Sequence, residues 1–222
     1  MLKRVVIILG LLVVGLLAVI AMRPDTFHVE RSTTFAGPPA AAFGLVNDFH
    51  QWPQWSPWEK LDPGMKKTFE GPPAGTGAVY YWNGNDKVGE GRMTITGSQP
   101  SSRIDIKLEF LKPWQATNAT VFTFTPQGAE TRVVWAMDGR HNFISKAVCM
   151  FMDMDRTVGK DFEAGLAQLK SAAEAAAAKA AAEAAQAAAQ AAAAKAAADE
   201  AAAKAAAAAA AAPADAAAPV KR

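Results

Sequence analysis

Three histidines, one cysteine and a few closely spaced carboxylates are the residues in this sequence with the chemistry to catalyse a reaction or hold a metal. His28, His50 and His141 have no partner at helical or zinc-ligand spacing, and Cys149 has no second thiol with which to build a thiolate site. Asp153 and Asp155 are two apart on a predicted helix, so they do not face each other and read as solvated surface rather than a coupled acid pair. Ser56 lies outside any GxSxG turn, and Gly89 and Gly91 fall in a predicted hairpin rather than ahead of a helix. Cys149, among apolar neighbours, reads as an inert thiol. The sequence therefore assigns no catalytic residue, no metal ligand and no cofactor.

What it does concentrate is large apolar side chains at positions that would converge. Tyr80, Trp82, Met93, Ile95, Phe122, Phe124, Trp135 and Met137 alternate along predicted strands, and Val148, Phe151 and Met152 sit on a predicted helix facing them. Trp52, Trp55 and Trp58, in the run WPQWSPW, would form a lid or rim. Together these are the candidate ligand-binding residues. Plain core packing accounts for each strand residue taken alone, and the inward face is fixed by a parity that one bulge would overturn. The indoles would equally pin an irregular loop to the sheet or meet a membrane interface. The methionines at 137, 150, 152 and 154 suit an adaptable pocket and fill cores equally well.

The elements that must position these residues follow from periodicity. Val29 to Phe35 alternates as a strand and is ended by Gly37, Pro38 and Pro39. Pro39 suits the first turn of a helix carrying Phe43, Val46 and Phe49 at helical spacing. Pro53 and Pro57 then restrict the tryptophan run to turns or short helical pieces. Period-two segments follow at Lys66 to Glu70, Ala78 to Trp82, Arg92 to Thr96, Arg103 to Phe110, Thr120 to Thr125 and Thr131 to Met137, separated by turn residues. With the first strand they predict an antiparallel sheet of about seven strands. From Asn142 onward, Ile144, Val148, Phe151, Val158, Phe162, Leu166 and Leu169 mark one long amphipathic helix, whose stripe must bury on the curved sheet.

That order, with the runs RPDTFHVERSTTF, NDFHQWPQWSPWEKLDP, GEGRMTIT and MDMDRTVGKDFEAGLAQLK, resembles the START-like superfamily, and in particular its bacterial SRPBCC branch of polyketide cyclase, dehydrase and lipid-transport type. The resemblance covers Arg23 to about Lys170. It implies an α+β helix-grip fold, in which the sheet wraps the last helix around a hydrophobic cavity. It implies no single chemistry, because members bind, transport or transform different ligands.

Composition changes after Met22 and again after Ser171. Val5 to Met22 is an uncharged run of 18 residues, 13 of them Val, Ile or Leu, preceded by Lys3 and Arg4. As a helix it spans about 27 Å, and its insertion is favourable by on the order of −4 to −8 kcal/mol. A cleaved signal peptide is the alternative, with Val19 and Ala21 before the cut, but the run exceeds the ~7–15 residues of a signal core. The positive-inside tendency of Lys3 and Arg4 places the following domain outside the cytoplasm of a bacterial inner membrane, with Arg23 opposing. After Ser171 the chain is nearly pure alanine, a strong helix former, until Pro213, with Glu200 and Lys204 in favourable order. It carries no apolar heptad and reads as a spacer, its basic end at Lys221 and Arg222 being the one feature that would meet an acidic surface.

The net charge of +2 sits at the leader, since acidic and basic residues balance from Phe27 to Lys170. A neutral domain without a basic stripe is not built for nucleic acid. The expected organisation is a stub (1–4), an anchor (5–22), a helix-grip domain (27–170), an alanine-rich helix (171–212) and a disordered tail (213–222). The expected partners are a hydrophobic small molecule or lipid and the membrane, with no protein partner assigned. The leading functional reading is non-catalytic ligand binding behind a tryptophan-bearing lid. The rivals are a cyclase-like or hydrolytic enzyme, which a buried carboxylate or histidine in the cavity would favour, and an envelope or stress-related interaction module without ligand.

Overall fold

Alternating apolar and polar residues produce seven strands: β1 (Thr26–Ala36), β2 (Lys66–Glu70), β3 (Val79–Asn83), β4 (Glu90–Gln99), β5 (Arg103–Lys112), β6 (Ala116–Gln127) and β7 (Glu130–Arg140). They form one antiparallel sheet in the order β1-β7-β6-β5-β4-β3-β2, so the first strand pairs with the last. The computed structural model describes residues 2–141, 143–150 and 153–210. The expectations for Phe151, Met152, the 213–222 tail and the basic end lie outside these residues.

Pleating turns every second residue inward. Asn118, Thr120, Phe122 and Phe124 of β6 and Thr131, Val133, Trp135 and Met137 of β7 form buried rows on one face. Gly128, at φ +65°, supplies the left-handed residue that closes the hairpin between them. The register between β4 and β5 shifts at Glu90/Gly91 and at Ile95/Gly97, yet Met93 and Ile95, which lie between the two shifts, keep the inward face.

Helix α2 (Pro39–Asn47) begins at a proline, whose missing N–H costs nothing in a first turn, and buries Ala42, Leu45 and Val46. The chain leaves it through two 3-10 helices, Phe49–Gln54 and Pro57–Lys60. Near the end of α2 the Leu45 and Val46 carbonyls accept the indole N–H groups of Trp55 at 3.1 Å and Trp52 at 3.0 Å. The proline-broken tryptophan run is thus the cap of a helix as well as part of the core.

The predicted single helix after Asn142 is two. Helix α3 (Phe143–Cys149) precedes helix α4 (Met154–Ala210). α3 does not lie on the sheet: Ile144 is 67% and Val148 44% exposed. The buried Lys146 pairs with Asp25 and donates to the Ala21 carbonyl at the end of the apolar helix α1 (Leu2–Ala21). The stripe read as one face therefore changes partner partway along. Of the predicted stripe, Val158, Phe162, Leu166 and Leu169 of α4 pack into the core, joined by the following Ala172 and Ala173.

Polar clasps hold α4 to strand β1. Arg31 reaches Asp155 at 2.9 Å and Glu163 at 2.8 Å, and the Lys170 ammonium donates to the Thr34 carbonyl at 2.8 Å. Among the described residues α1 is the one helix long and apolar enough to cross a membrane. The chain divides into two compact units, Met1–Ala177 and Ala178–Arg222. Within the second, Lys195 pairs with Asp199 and Glu200 with Lys204, both at 2.7 Å.

Candidate functional site

Between the inner face of the sheet and α4 lies a cavity of about 220 Å³. Strands β3 to β7 supply Tyr80, Trp82, Met93, Leu108, Phe110, Thr120, Trp135 and Met137, and α4 supplies Val158, Asp161 and Phe162. The segment from the first 3-10 helix to β2 closes one side with Trp52, Ser56, Trp58, Glu59 and Met65, while Lys87 and Val88 come from the β3–β4 loop. Gly91, opposite Trp82 on the neighbouring strand, makes the cavity wall possible: a Cβ there would collide with the indole and with the Glu109 carbonyl. The Trp82 indole N–H, in turn, holds the loop by donating to the Val88 carbonyl at 3.0 Å.

Seven of the sequence-predicted residues meet around this space: Trp52, Trp58, Tyr80, Trp82, Met93, Trp135 and Met137. Trp55, Ile95, Phe122 and Phe124 share their parity or their loop but are packed in the solid core beneath, and do not line it. Trp55 is edge-on to both Phe122 and Trp135. Val148 lies on α3, away from the lining, because α3 turns toward α1.

Five polar members of the wall, Ser56, Glu59, Lys87, Thr120 and Asp161, were not foreseen. The Glu59 side chain is only 7% exposed; it pairs with the Lys67 ammonium and accepts the Tyr80 phenol at 2.8 Å. Burial, reinforced by that hydrogen bond, pushes the Tyr80 phenol far up, so it stays a neutral donor. Asp161 is also raised above the ordinary carboxylate range, by burial, although the Trp58 side chain bonded to it pulls the other way. Thr120 and Trp135 are buried, and neither Thr120 Oγ1 nor Trp135 Nε1 has a hydrogen-bond partner among the described residues. The signal for Thr120 was its shared parity with Phe122 and Phe124. Asp161 had only its place one residue before Phe162, which on a helix does not separate a wall from a wet face.

The remaining titratable groups lie elsewhere. His28 faces Asp138 on the outer side of the sheet, within a wide concavity of about 1050 Å³ lined mostly by polar side chains of β1, β4, β5, β6 and β7. His141 Nδ1 is 4.0 Å from Cys149 Sγ, whose thiol burial pushes up. No cluster of three or more metal-binding side chains occurs among the described residues.

An antiparallel sheet closed on a long C-terminal helix, with an apolar cavity between, defines a helix-grip fold of the START-like class. The family model described as polyketide cyclase / dehydrase and lipid transport matches residues 26–174, and the chain belongs to that family. Similar solved structures include the Chromobacterium violaceum protein CV1439, at 15% identity and TM-score 0.49, covering 68% of this chain and 99% of that one. The Aha1 dimer of Colwellia psychrerythraea is 14% identical at TM-score 0.49, covering 67% and 96% respectively. The di-domain ARO/CYC BexL from the BE-7585A biosynthetic pathway is 14% identical at TM-score 0.49, covering 70% of this chain and 52% of its own. No curated protein sequence matches the chain.

Proposed function

We propose that the domain spanning 27–170 binds a compact apolar small molecule or a lipid segment without transforming it, and does so tethered to a membrane by α1. The observation that carries this reading is the cavity itself, walled by Trp82, Met93, Leu108, Phe110 and Met137 in a family whose description includes lipid transport. Burial of apolar ligand surface against such walls contributes roughly 25 cal/mol per Å². The volume is below the ~300 Å³ at which pockets for drug-sized ligands begin, so the occupant is small or enters only in part. Trp58, half-buried at the rim, is the member of the tryptophan run placed to gate entry, whereas the Trp52 and Trp55 indoles are tied to α2.

The test is native mass spectrometry of the full chain released from detergent micelles after incubation with bacterial lipid extract. An adduct in the wild type that disappears in Met93→Trp supports the reading. No adduct under any loading condition sinks it.

The tether rests on the length and composition of α1, with Lys3 and Arg4 on the cytoplasmic side and the domain outside. A cysteine placed at Lys66 and challenged with a membrane-impermeant maleimide in intact spheroplasts reports the side. Labelling only after lysis would reverse the assignment.

One observation favours a second reading. Asp161 is a cavity carboxyl held above its ordinary range, the property that general acid–base work requires. An enzyme would return part of the loaded ligand with a changed mass, and Asp161→Asn would stop that change while leaving the adduct. A wild-type adduct that always matches the mass supplied favours binding alone.

A further inference from the structure

The ligand-binding reading leaves open what kind of apolar molecule fits, and two atoms in the wall narrow it. Thr120 and Trp135 face inward from neighbouring strands and are diagonal neighbours, since Thr120 pairs with Met137 and Phe122 with Trp135. Both line the cavity, at 5% and 2% exposure, and both carry a polar atom without a hydrogen-bond partner among the described residues. The rings around Trp135 offer no oxygen: it stacks on Phe162 and Phe122 and meets Trp55 and Trp58 edge to face. A buried indole N–H or hydroxyl left unpaired is costly, and native proteins pair nearly all of them.

We propose that Thr120 and Trp135 form the polar anchor of the cavity, and that its ligand is a compact, neutral, mainly apolar molecule carrying a carbonyl or hydroxyl oxygen. The chemistry of the two groups sets the class. An indole nitrogen only donates, so the ligand atom must accept; a threonine hydroxyl donates or accepts, so one oxygen with two lone pairs serves both. An ammonium has no lone pair to offer. A carboxylate would enter a space already facing Glu59 and Asp161, with Lys87 the lining cation and Lys67 engaged by Glu59. At about 220 Å³, the space of roughly seven waters, the body behind that oxygen is limited to a small ring system or a short acyl segment.

The proposal rests on the cavity being a binding site, and a matched pair of probes separates the two claims. 1-Indanone and indane share a shape and differ by one carbonyl. Binding of each to the full chain in lipid nanodiscs is measured by titration calorimetry, with empty nanodiscs subtracted. The wild type is expected to prefer the ketone by about three- to tenfold or more, the range of one or two neutral hydrogen bonds. Thr120→Val keeps the shape and removes the hydroxyl; it should reduce that preference about three- to tenfold while indane affinity holds. Trp135→Phe should do the same, and circular dichroism of both variants verifies the fold. Equal affinity for the two probes, or a ketone preference that survives both substitutions, overturns the anchor and leaves the apolar cavity standing. Binding of neither probe to the wild type overturns the cavity reading, and the anchor with it.

Discussion

The indole of Trp135 on β7 lies flat on the ring of Phe162 on α4, with centroids 4.0 Å apart and 8° between the planes. This contact joins sheet to helix at the floor of the cavity, and Trp55 and Trp58 close on the same indole from the side at 5.6 Å each. Phe162→Ala removes a buried ring from a site whose neighbours are themselves locked by stacking. It should destabilise the domain by about 3–5 kcal/mol. Thermal unfolding followed by near-ultraviolet circular dichroism should show a midpoint lowered by at least about 6 °C. A smaller loss would mean that Trp135 is held by the strand pairing alone.

A different kind of packing sets the opposite wall. Gly91 pairs with Trp82 across β3 and β4, and any Cβ at position 91 meets the Trp82 six-membered ring on one side and backbone on the other. The ring is itself fixed through Val88, so it has little room to yield. Gly91→Ala should cost about 1–3 kcal/mol by overpacking. The same substitution should weaken binding of any cavity ligand, because the indole can move only into the ligand space. Denaturant unfolding and probe calorimetry on one preparation check both parts.

These two walls mark what the sequence discloses and what it withholds. Strand β6 was legible because Phe122 and Phe124 repeat at period two, and β7 because Val133, Trp135 and Met137 do. Parity says which face a residue takes. It says nothing of what stands across from it, so Ile95 and Phe122, which fill the core, looked the same as Met93 and Trp135, which border a void. Val148 was misplaced because a three-to-four-residue stripe runs through α3 and α4 alike, although Lys146 turns α3 toward Asp25 and Ala21. Asp161 and Glu59 were illegible for another reason. A charge in a helical segment reads as solvated, and only the approach of Trp58 and Tyr80 from distant parts of the chain encloses these two.

Enclosure of Glu59 has an energetic consequence of its own. One carboxylate oxygen takes the Tyr80 phenol and the other the Lys67 ammonium. Lys67→Met strips a partner from a nearly buried anion and should cost about 1–3 kcal/mol. Adding Glu59→Gln removes the stranded charge and should recover part of that loss, so the two substitutions should be non-additive in a double-mutant cycle. Additive values would show that water replaces Lys67 without penalty.

On the outer face, His28 Nδ1 lies 2.8 Å from Asp138 across the β1–β7 pair, and that bond, with the Asp138 and Glu30 charges, raises the imidazole above its ordinary value. A group whose folded pKa is raised stabilises fully below its unfolded pKa, about 6.5, and loses that contribution as pH climbs through the folded value. Stability should therefore fall from about pH 6 upward by a small amount, since the pair is solvent-screened. His28→Gln should flatten that slope in unfolding free energies measured between about pH 5 and 8.

Asp161 gives a slope of the same sign from a different origin. Burial beside Trp58 and Phe162 raises its folded pKa, so its cost is absent while the carboxyl is protonated in both states, below about pH 4. As pH rises through the folded pKa the chain must hold a charge in a partly buried wall, and stability is lost. Asp161→Asn keeps an acceptor for Trp58 and cannot ionise. It should match the wild type at low pH, exceed it in unfolding free energy at neutral pH, and bind an apolar probe with an affinity that no longer changes over this range. His28→Gln supplies the control: it should alter the slope of stability yet leave the pH dependence of probe binding intact, because its side chain is on the other face of the sheet. A wild type whose probe affinity is constant from about pH 4 to 8 would show that Asp161 remains hydrated and plays no part in the cavity's chemistry.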